Sequence, residues 1–373
     1  MKSWIELNAK NLEHNLGIFK KKAKNSKVLF TVKANAYGHG LRDIVSITKN
    51  LDSFDYYGVD SIFEAKSVKE IDNKKNILIL GWCDEDELEQ AINEEIEFVV
   101  SSPEYLKKAT EVASKLKKRG KVHLKVETGT SRLGTDPEVL LRAIEDFPIK
   151  NLEIKGIYSH FANIEDTTDH SYARNQLKIF NDFLAKLKTN NFLKHFSCSA
   201  SALLFPETYF DMVRVGISAY GFWPSKQTYV SFAEKNGEEI ELKPVLSWFS
   251  KVAQVKDVDR GTYISYGLTY KTFNKSQIVV IPVGYYDGYN RGLSNISKVI
   301  INGEGAPVRG RVCMDMFMVE VTHINSVREG DKVILIGEEN GERVSLDYLA
   351  DISGTINYEF VSRLNPMIPR FIV

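Results

Sequence analysis

Residues 28–50 read VLFTVKANAYGHGLRDIVSITKN. Residues 28–32 are apolar or β-branched, the composition of a strand buried on both faces. From Leu41 the apolar positions Leu41, Ile44, Val45 and Thr48 fall at helical spacing. Between them stand Lys33 and a loop holding Gly38 and Gly40. A strand that passes through a short loop into a helix is one βα unit, and the pattern recurs along the chain. Further strands are expected at 56–59, 77–80, 96–100, 122–126, 154–158, 195–198 and 212–215. Helical patterns lie at 41–50, 61–71, 84–93, 103–119, 137–145 and 172–188, while the seventh crossover, 202–208, is short and weakly helical. Eight strands without hairpin signals make a parallel sheet. It either closes into a (β/α)8 TIM-type barrel or stays open and doubly wound, since both share this local pattern.

The texture changes after Tyr220. Residues 225–241 are polar and linker-like, and from Leu242 the chain reads as strands at 245–255, 276–283, 298–301, 308–321 and 332–336. A terminal helix is expected over 346–364, broken near Gly354. These features predict a barrel domain over 1–235 and a mainly-β domain over 236–373, with the first residues able to pair with the second domain.

The 373 residues carry 49 basic and 49 acidic side chains, so the net charge is zero and the electrostatic footprint of a nucleic-acid binder is missing. The lysine-rich stretches 20–22 and 115–119 fall in helical patterns and read as solvated faces. Cys83, Cys198 and Cys313 lie far apart, without metal-ligand spacing. A sparse, odd count suits reduced thiols in the cytoplasm. The N-terminus lacks the apolar core of a signal peptide, and no apolar run approaches a membrane span. These features predict a cytoplasmic protein without metal, nucleic-acid or membrane partners.

In a barrel, the strand ends that feed the helices build the active site. Those ends carry Lys33, Lys125, Arg132, His160, Ser199 and Arg214 just before Gly216. Alone, Lys33 reads more readily as a lysine snorkelling from the rim than as a buried amine of lowered pKa able to form a Schiff base. His160 alone suits a hydrogen-bonded core histidine, and Arg214 alone a structural ion pair. Their shared rim is the informative feature. Barrels bind phosphate in the loops after strands seven and eight, where Ser199, Gly216 and Ile217 lie. A lysine beside a phosphate cradle points to pyridoxal 5'-phosphate (PLP).

These residues resemble a known family. VKANAYGHG (32–40) is similar to the PLP-lysine motif of alanine racemases, fold-type III PLP enzymes. The resemblance continues through ETGTSRLG (127–134), IYSHFA (157–162), DMVRVGISAYG (211–221), ISYGLTY (264–270), GYYDGYNR (284–291), GRVCMDM (310–316) and INYEFVSRLNPMIPR (356–370). It implies the closed barrel. It also implies interconversion of L- and D-alanine, supplying D-alanine for cell-wall peptidoglycan, by two acid/base groups on opposite faces of the α-carbon. Lys33, which holds the cofactor, would be one and Tyr266 the other. A phenol with a reference pKa near ~10 needs tuning to act as a base, a task that falls to His160 and, behind it, Arg214.

By the same resemblance Arg214 donates a hydrogen bond to the pyridine nitrogen, and Tyr37, Ser199, Gly216, Ile217 and Tyr358 hold the phosphate. Arg132 and the Met314 N–H take the substrate carboxylate. Lys125 matches a lysine carbamylated in many members, and Arg311 and Asp315 line the entry channel. The family is a homodimer whose sites join one subunit's barrel to the other's second domain. Thr130-Ser131 replaces Met-Gly or Met-Asn, and 197–201 reads SCSAS rather than ANSAA, which leaves Ser201 as the alternative to Ser199. Tyr286 and Met316 also depart from the common pattern. Rival readings are a racemase of serine or another amino acid, a fold-type III decarboxylase of basic amino acids, and a non-catalytic PLP-binding protein. Tyr37 and Tyr358 would crowd a long side chain and favour alanine. Tyr266 paired with Arg214 argues against a decarboxylase, and the second domain argues against a bare binding barrel.

Overall fold

A computed structural model describes residues 1–146, 151–188, 191–236 and 239–373. The eight βα strands are Lys27–Thr31, Tyr56–Val59, Asn76–Ile79, Glu97–Val100, Gly120–Lys125, Leu152–Tyr158, Leu193–His195 and Met212–Val215. Each runs parallel to the next, and the first also pairs with the eighth, Leu29 opposite Arg214. The sheet is therefore a closed barrel, not an open one. Leu29, Tyr56, Leu78, Val99, Tyr158 and Met212, one from each of six strands, form a buried cluster. Side chains alternate along a strand, so Glu97 shares a face with Val99, and Arg214 with Met212. Polar groups thus point into the same interior as the apolar cluster.

The crossover helices begin where capping chemistry allows. Ser61, Asp84 and Ser102 accept hydrogen bonds from the third backbone N–H of helices Ile62–Lys69, Glu85–Asn93 and Pro103–Leu116. The seventh crossover is the short helix Ser199–Leu204 followed by the turn Pro206–Thr208.

The stretch expected as a linker, 225–241, is instead largely the helix Lys226–Asn236, and residues 237–238 of that expectation lie outside the described residues. Its buried face is Thr228, Ser231 and Phe232, so apolar periodicity could not reveal it. Ser225 caps it by accepting from the Thr228 N–H. Two expected strands also divide. Residues 245–255 contain Leu246–Lys251 and the start of Gln254–Val258, which pair with different neighbours. Residues 308–321 contain the end of Glu304–Arg309 and all of Phe317–Glu320, separated where 310–316 leaves the sheet. The terminal helix breaks as expected, into Leu346–Ile352 and Asn357–Ser362, with Gly354 between them.

The described residues form two compact units. One comprises Lys10–Ala34 and Ile44–Lys243 and holds the barrel; the other comprises Met1–Ala9, Asn35–Asp43 and Pro244–Val373. In the second, Ser3–Leu7 pairs antiparallel with Leu246–Lys251 and parallel with Arg370–Ile372, so both chain ends enter one sheet. Among the described residues no helix is long and apolar enough to cross a membrane.

The lysine motif has an unusual backbone. Ala34, Asn35, Ala36 and Tyr37 have φ values of 53°, 55°, 52° and 52°, a left-handed helical turn made without glycine. Such a turn costs about 1–2 kcal/mol per residue. Docking offsets that cost. A Cβ on Gly38 would sit 1.9 Å from the Val361 carbonyl oxygen, and the Arg370 guanidinium donates to the Gly38 carbonyl at 2.8 Å. Ala34 is exposed, so its backbone strain can be tested apart from packing. Ala34→Gly is expected to stabilise the fold by about 0.5–1 kcal/mol and Ala34→Val to destabilise it by about 1 kcal/mol or more in urea titration. Equal midpoints for the three proteins would contradict a strained turn.

Candidate active site

The barrel unit gathers cations at the strand ends. Lys33 follows the first strand, its amine 4.0 Å from an Asp60 oxygen and its side chain 42% exposed rather than buried. Lys125 ends the fifth strand, and burial pushes its amine down to about 8, with Arg132 and Arg214 adding to the effect. Burial also holds His160 well below the ordinary imidazole range, and the charges of Arg214, Arg132, Lys125 and Lys33 all act in the same direction. Four cations therefore converge on one neutral histidine. That excess suits a ligand carrying negative charge.

Arg214 is the most constrained of them. It is buried, which lowers its guanidinium to about 10, still charged at neutral pH. Nη1 donates to His195 Nδ1 at 2.9 Å. Nη2 donates to the Ser159 carbonyl at 2.8 Å, His160 Nδ1 at 3.1 Å and the Phe196 carbonyl at 3.2 Å. The guanidinium packs on the Tyr158 ring, 5.1 Å from its centroid, and the Lys125 amine lies 5.5 Å from the same centroid. Among the described residues no hydrogen bond uses Arg214 Nε–H. Because Arg214 can only donate, His160 Nδ1 must accept, and the proton of neutral His160 sits on Nε2.

The loop bearing Arg132 is built by Glu127. Its carboxylate accepts from the backbone N–H groups of Gly129 and Thr130, with Ser131 and Arg132 contributing. These bonds outweigh the upward push of burial and lower its pKa. Thr130, one of the departures from the common pattern, donates through its hydroxyl to the His160 carbonyl at 2.7 Å. Gln176 donates to the same carbonyl and accepts from Ala162 N–H. The substitution thus joins the Arg132 loop to the His160 strand end.

After strands seven and eight, the Gly216 N–H donates to Ser199 Oγ at 3.0 Å. Ile217 opens the short turn Ile217–Tyr220, whose first N–H groups have no carbonyl within the turn to bond. Ser218, one residue on, has a buried hydroxyl without a hydrogen-bond partner among the described residues. Ser201 is occupied locally: its hydroxyl accepts from the Cys198 N–H and bonds back to the Cys198 carbonyl. Ser199 is therefore the hydroxyl placed beside the Gly216 amide.

The second unit carries the other expected residues. Tyr37 and Tyr358 pack ring to ring, with centroids 6.1 Å apart. Tyr266 is 74% exposed on a tight turn that Ser265 anchors by donating to the Arg311 carbonyl at 2.6 Å. Tyr266, Tyr285, Arg291, Arg311, Met314 and Asp315 line a cavity of about 460 Å³. The Met314 carbonyl accepts from Tyr286 N–H, whereas its own N–H makes no hydrogen bond among the described residues. Tyr286 and Met316 are both exposed.

Sequence reading missed Glu97, His123 and His195, buried polar residues within barrel strands. The available signal was polarity at inward positions of otherwise apolar strands. It also missed Gln176, whose helical position offered none.

Comparisons agree along the whole chain. Residues 7–224 match the family described as alanine racemase, N-terminal domain, and residues 245–372 match alanine racemase, C-terminal domain. An alanine racemase of Clostridium perfringens is 40% identical over 372 residues, 98% of this chain and 94% of that protein. The solved structure of an alanine racemase from Clostridium difficile 630 is similar with a TM-score of 0.92 at 32% identity, covering 100% of this chain and 96% of that one. One from Bartonella henselae, with covalently bound pyridoxal phosphate, gives a TM-score of 0.88 at 28% identity over 100% of both chains.

The lowered Lys125 amine gives this site a pH signature. In buffer free of carbon dioxide, competitive acylation of Lys125 should titrate near pH 8, and Arg132→Ala should move the midpoint upward by removing a neighbouring positive charge. An unchanged midpoint in the variant would show that Arg132 does not act on this amine.

Proposed function

The chain belongs to the alanine racemase family, and from that premise we propose that it interconverts L- and D-alanine with PLP, supplying D-alanine for cell-wall peptidoglycan. The observation that carries this reading is the convergence of Lys33, Lys125, Arg132 and Arg214 on His160 at one barrel rim. The residues present fit the cofactor. The Ser199–Gly216 pair and the partnerless Ser218 hydroxyl suit a phosphate. The Nε–H of Arg214 suits a pyridine nitrogen, and Lys33 supplies the amine for a covalent link. Ser199, Gly216, Ile217, Tyr37 and Tyr358 would hold the phosphate, with Ser199 preferred because Ser201 is engaged in its own turn. When bound, the cofactor supplies the electron-withdrawing ring that makes the α-hydrogen of alanine acidic.

Racemisation requires one group to remove a proton from one face of the α-carbon and another to return it to the opposite face. Lys33 Nζ and Tyr266 Oη take these roles. His160, with its proton on Nε2, presents a donor that stabilises a tyrosinate oxygen and so makes Tyr266 a usable base. Arg214 would hold the pyridine nitrogen of a bound cofactor by donating to it without surrendering its own proton. Arg132 and the Met314 N–H bind the substrate carboxylate, while Arg311 and Asp315 line its entry. Lys125, held near 8, has enough neutral amine to add carbon dioxide. The resulting carbamate would place an anion beside Arg132.

Catalysis is assigned to a two-fold homodimer, each site combining one subunit's barrel with the partner subunit's Tyr266, and to the cytoplasm, consistent with three free cysteines. The exposed Tyr266 supports the shared site, because its open position leaves room for a second chain's barrel to cover it. Borohydride reduction should fix the cofactor to Lys33, and label on any other lysine would refute that assignment. Mixing Lys33→Ala with Tyr266→Phe subunits should restore roughly a quarter of wild-type activity, because about half the dimers then carry one intact site. Activity that stays at the level of the separate variants, despite demonstrated subunit exchange, would refute the shared site.

A further inference from the structure

Among the described residues, Glu97 and Arg214 lie buried in the barrel without a direct partner of fixed opposite charge. Glu97, on the fourth strand, is 3% exposed; among the described residues its oxygens meet only His123 Nε2 at 2.7 Å and the Tyr56 hydroxyl at a long 3.5 Å. Arg214, on the eighth strand, meets no carboxylate among the described residues. Two imidazoles join them. His123 Nδ1 lies 2.8 Å from His195 Nε2, and His195 Nδ1 lies 2.9 Å from Arg214 Nη1. Gly156 makes room for the link, because a Cβ there would sit 2.2 Å from His123 Nδ1.

The proton positions follow from the arginine end. Arg214 can only donate, so His195 Nδ1 accepts and the His195 proton sits on Nε2. That proton points at His123 Nδ1, which must also accept. His123 therefore carries its proton on Nε2, directed at Glu97 Oε2. A second proton on either ring would put two hydrogens into one bond. Only one arrangement satisfies every contact, and Glu97 terminates it.

We propose that Glu97 is a positioning residue for racemisation, fixing the tautomers of His123 and His195 and, through them, the plane of the Arg214 guanidinium. The planar guanidinium is held at Nη1 by His195 and at Nη2 by Ser159, His160 and Phe196, so its Nε–H has one direction. The proposal rests on the racemase reading for its consequence, although the tautomers themselves do not. Without an acceptor at position 97 the His123 Nε2–H is buried with nothing to bond, and the two rings can relieve it only by reversing together, which turns a His195 N–H toward Arg214.

The test is nitrogen NMR of histidine-labelled full-length protein at neutral pH, with kinetics in parallel. His123 and His195 are expected as Nε2–H tautomers in the wild type and in Glu97→Gln, whose amide oxygen still accepts. Glu97→Leu is expected to show an Nδ1–H population and a kcat lower by roughly tenfold, one buried hydrogen bond's worth, with KM little changed. Glu97→Gln should keep most of the activity. An Nδ1–H signal from either ring in the wild type overturns the proposal, as does a folded Glu97→Leu protein with unchanged tautomers. If Glu97→Leu does not fold, the wild-type and Glu97→Gln spectra decide. Failure of the racemase reading would appear separately, as absent alanine racemisation alongside intact tautomers.

Discussion

A guanidinium that can only donate, buried where no carboxylate among the described residues touches it, sets the hydrogen-bond polarity of this barrel's interior. Arg214 must find acceptors, and the interior supplies them from neighbouring strands: two backbone carbonyls and two imidazole nitrogens. Each imidazole is thereby assigned the position of its proton. His160 becomes an Nε2 donor and His195 passes the polarity onward to His123 and Glu97. Burying an unpaired ion costs several kcal/mol even after relaxation, on the order of a whole domain's margin of stability. Such a residue is retained where its charge has a use. Here the use is a fixed donor that cannot release its proton.

The strained lysine turn follows the same economy. Four left-handed residues between Lys33 and Gly38 are held in place by the close approach of Gly38 to Val361 and by Arg370. Strain of this kind persists where surrounding contacts overdetermine it, and it clusters at sites of chemistry. Lys33 is consequently presented from a backbone that has little freedom to relax, while its flexible side chain stays half exposed beside Asp60.

Much of this was legible in the sequence because the signals were local. Strand–loop–helix repetition placed seven of the eight barrel strands and only the edge of the seventh in chain order, expected at 195–198 but formed by Leu193–His195, and the polar residues at their ends marked the rim. Closure was not local: the pairing of Leu29 with Arg214 joins strands almost the whole domain apart, and only the resemblance distinguished it from an open sheet. Helix Lys226–Asn236 was missed because its buried face includes Thr228 and Ser231, which read as polar. The break at 310–316 was missed because Val308, Val312 and Phe317 look like one strand until the loop is seen lining a cavity. The Glu97–His123–His195 line was invisible for a different reason. Its members sit on strands four, five and seven, and the glycine that lets two of them meet is on strand six.

We propose that Arg214, which donates without releasing its proton, would leave the ring nitrogen of a bound cofactor unprotonated, so that alanine would be returned rather than converted. The direct measurement is the ratio of pyruvate formed to alanine racemised by the Arg214→Glu enzyme. A glutamic acid can share its proton with the ring nitrogen, so slower racemisation and a higher ratio than in the wild type are expected. A ratio equal to the wild-type value in a folded, cofactor-loaded variant would contradict it.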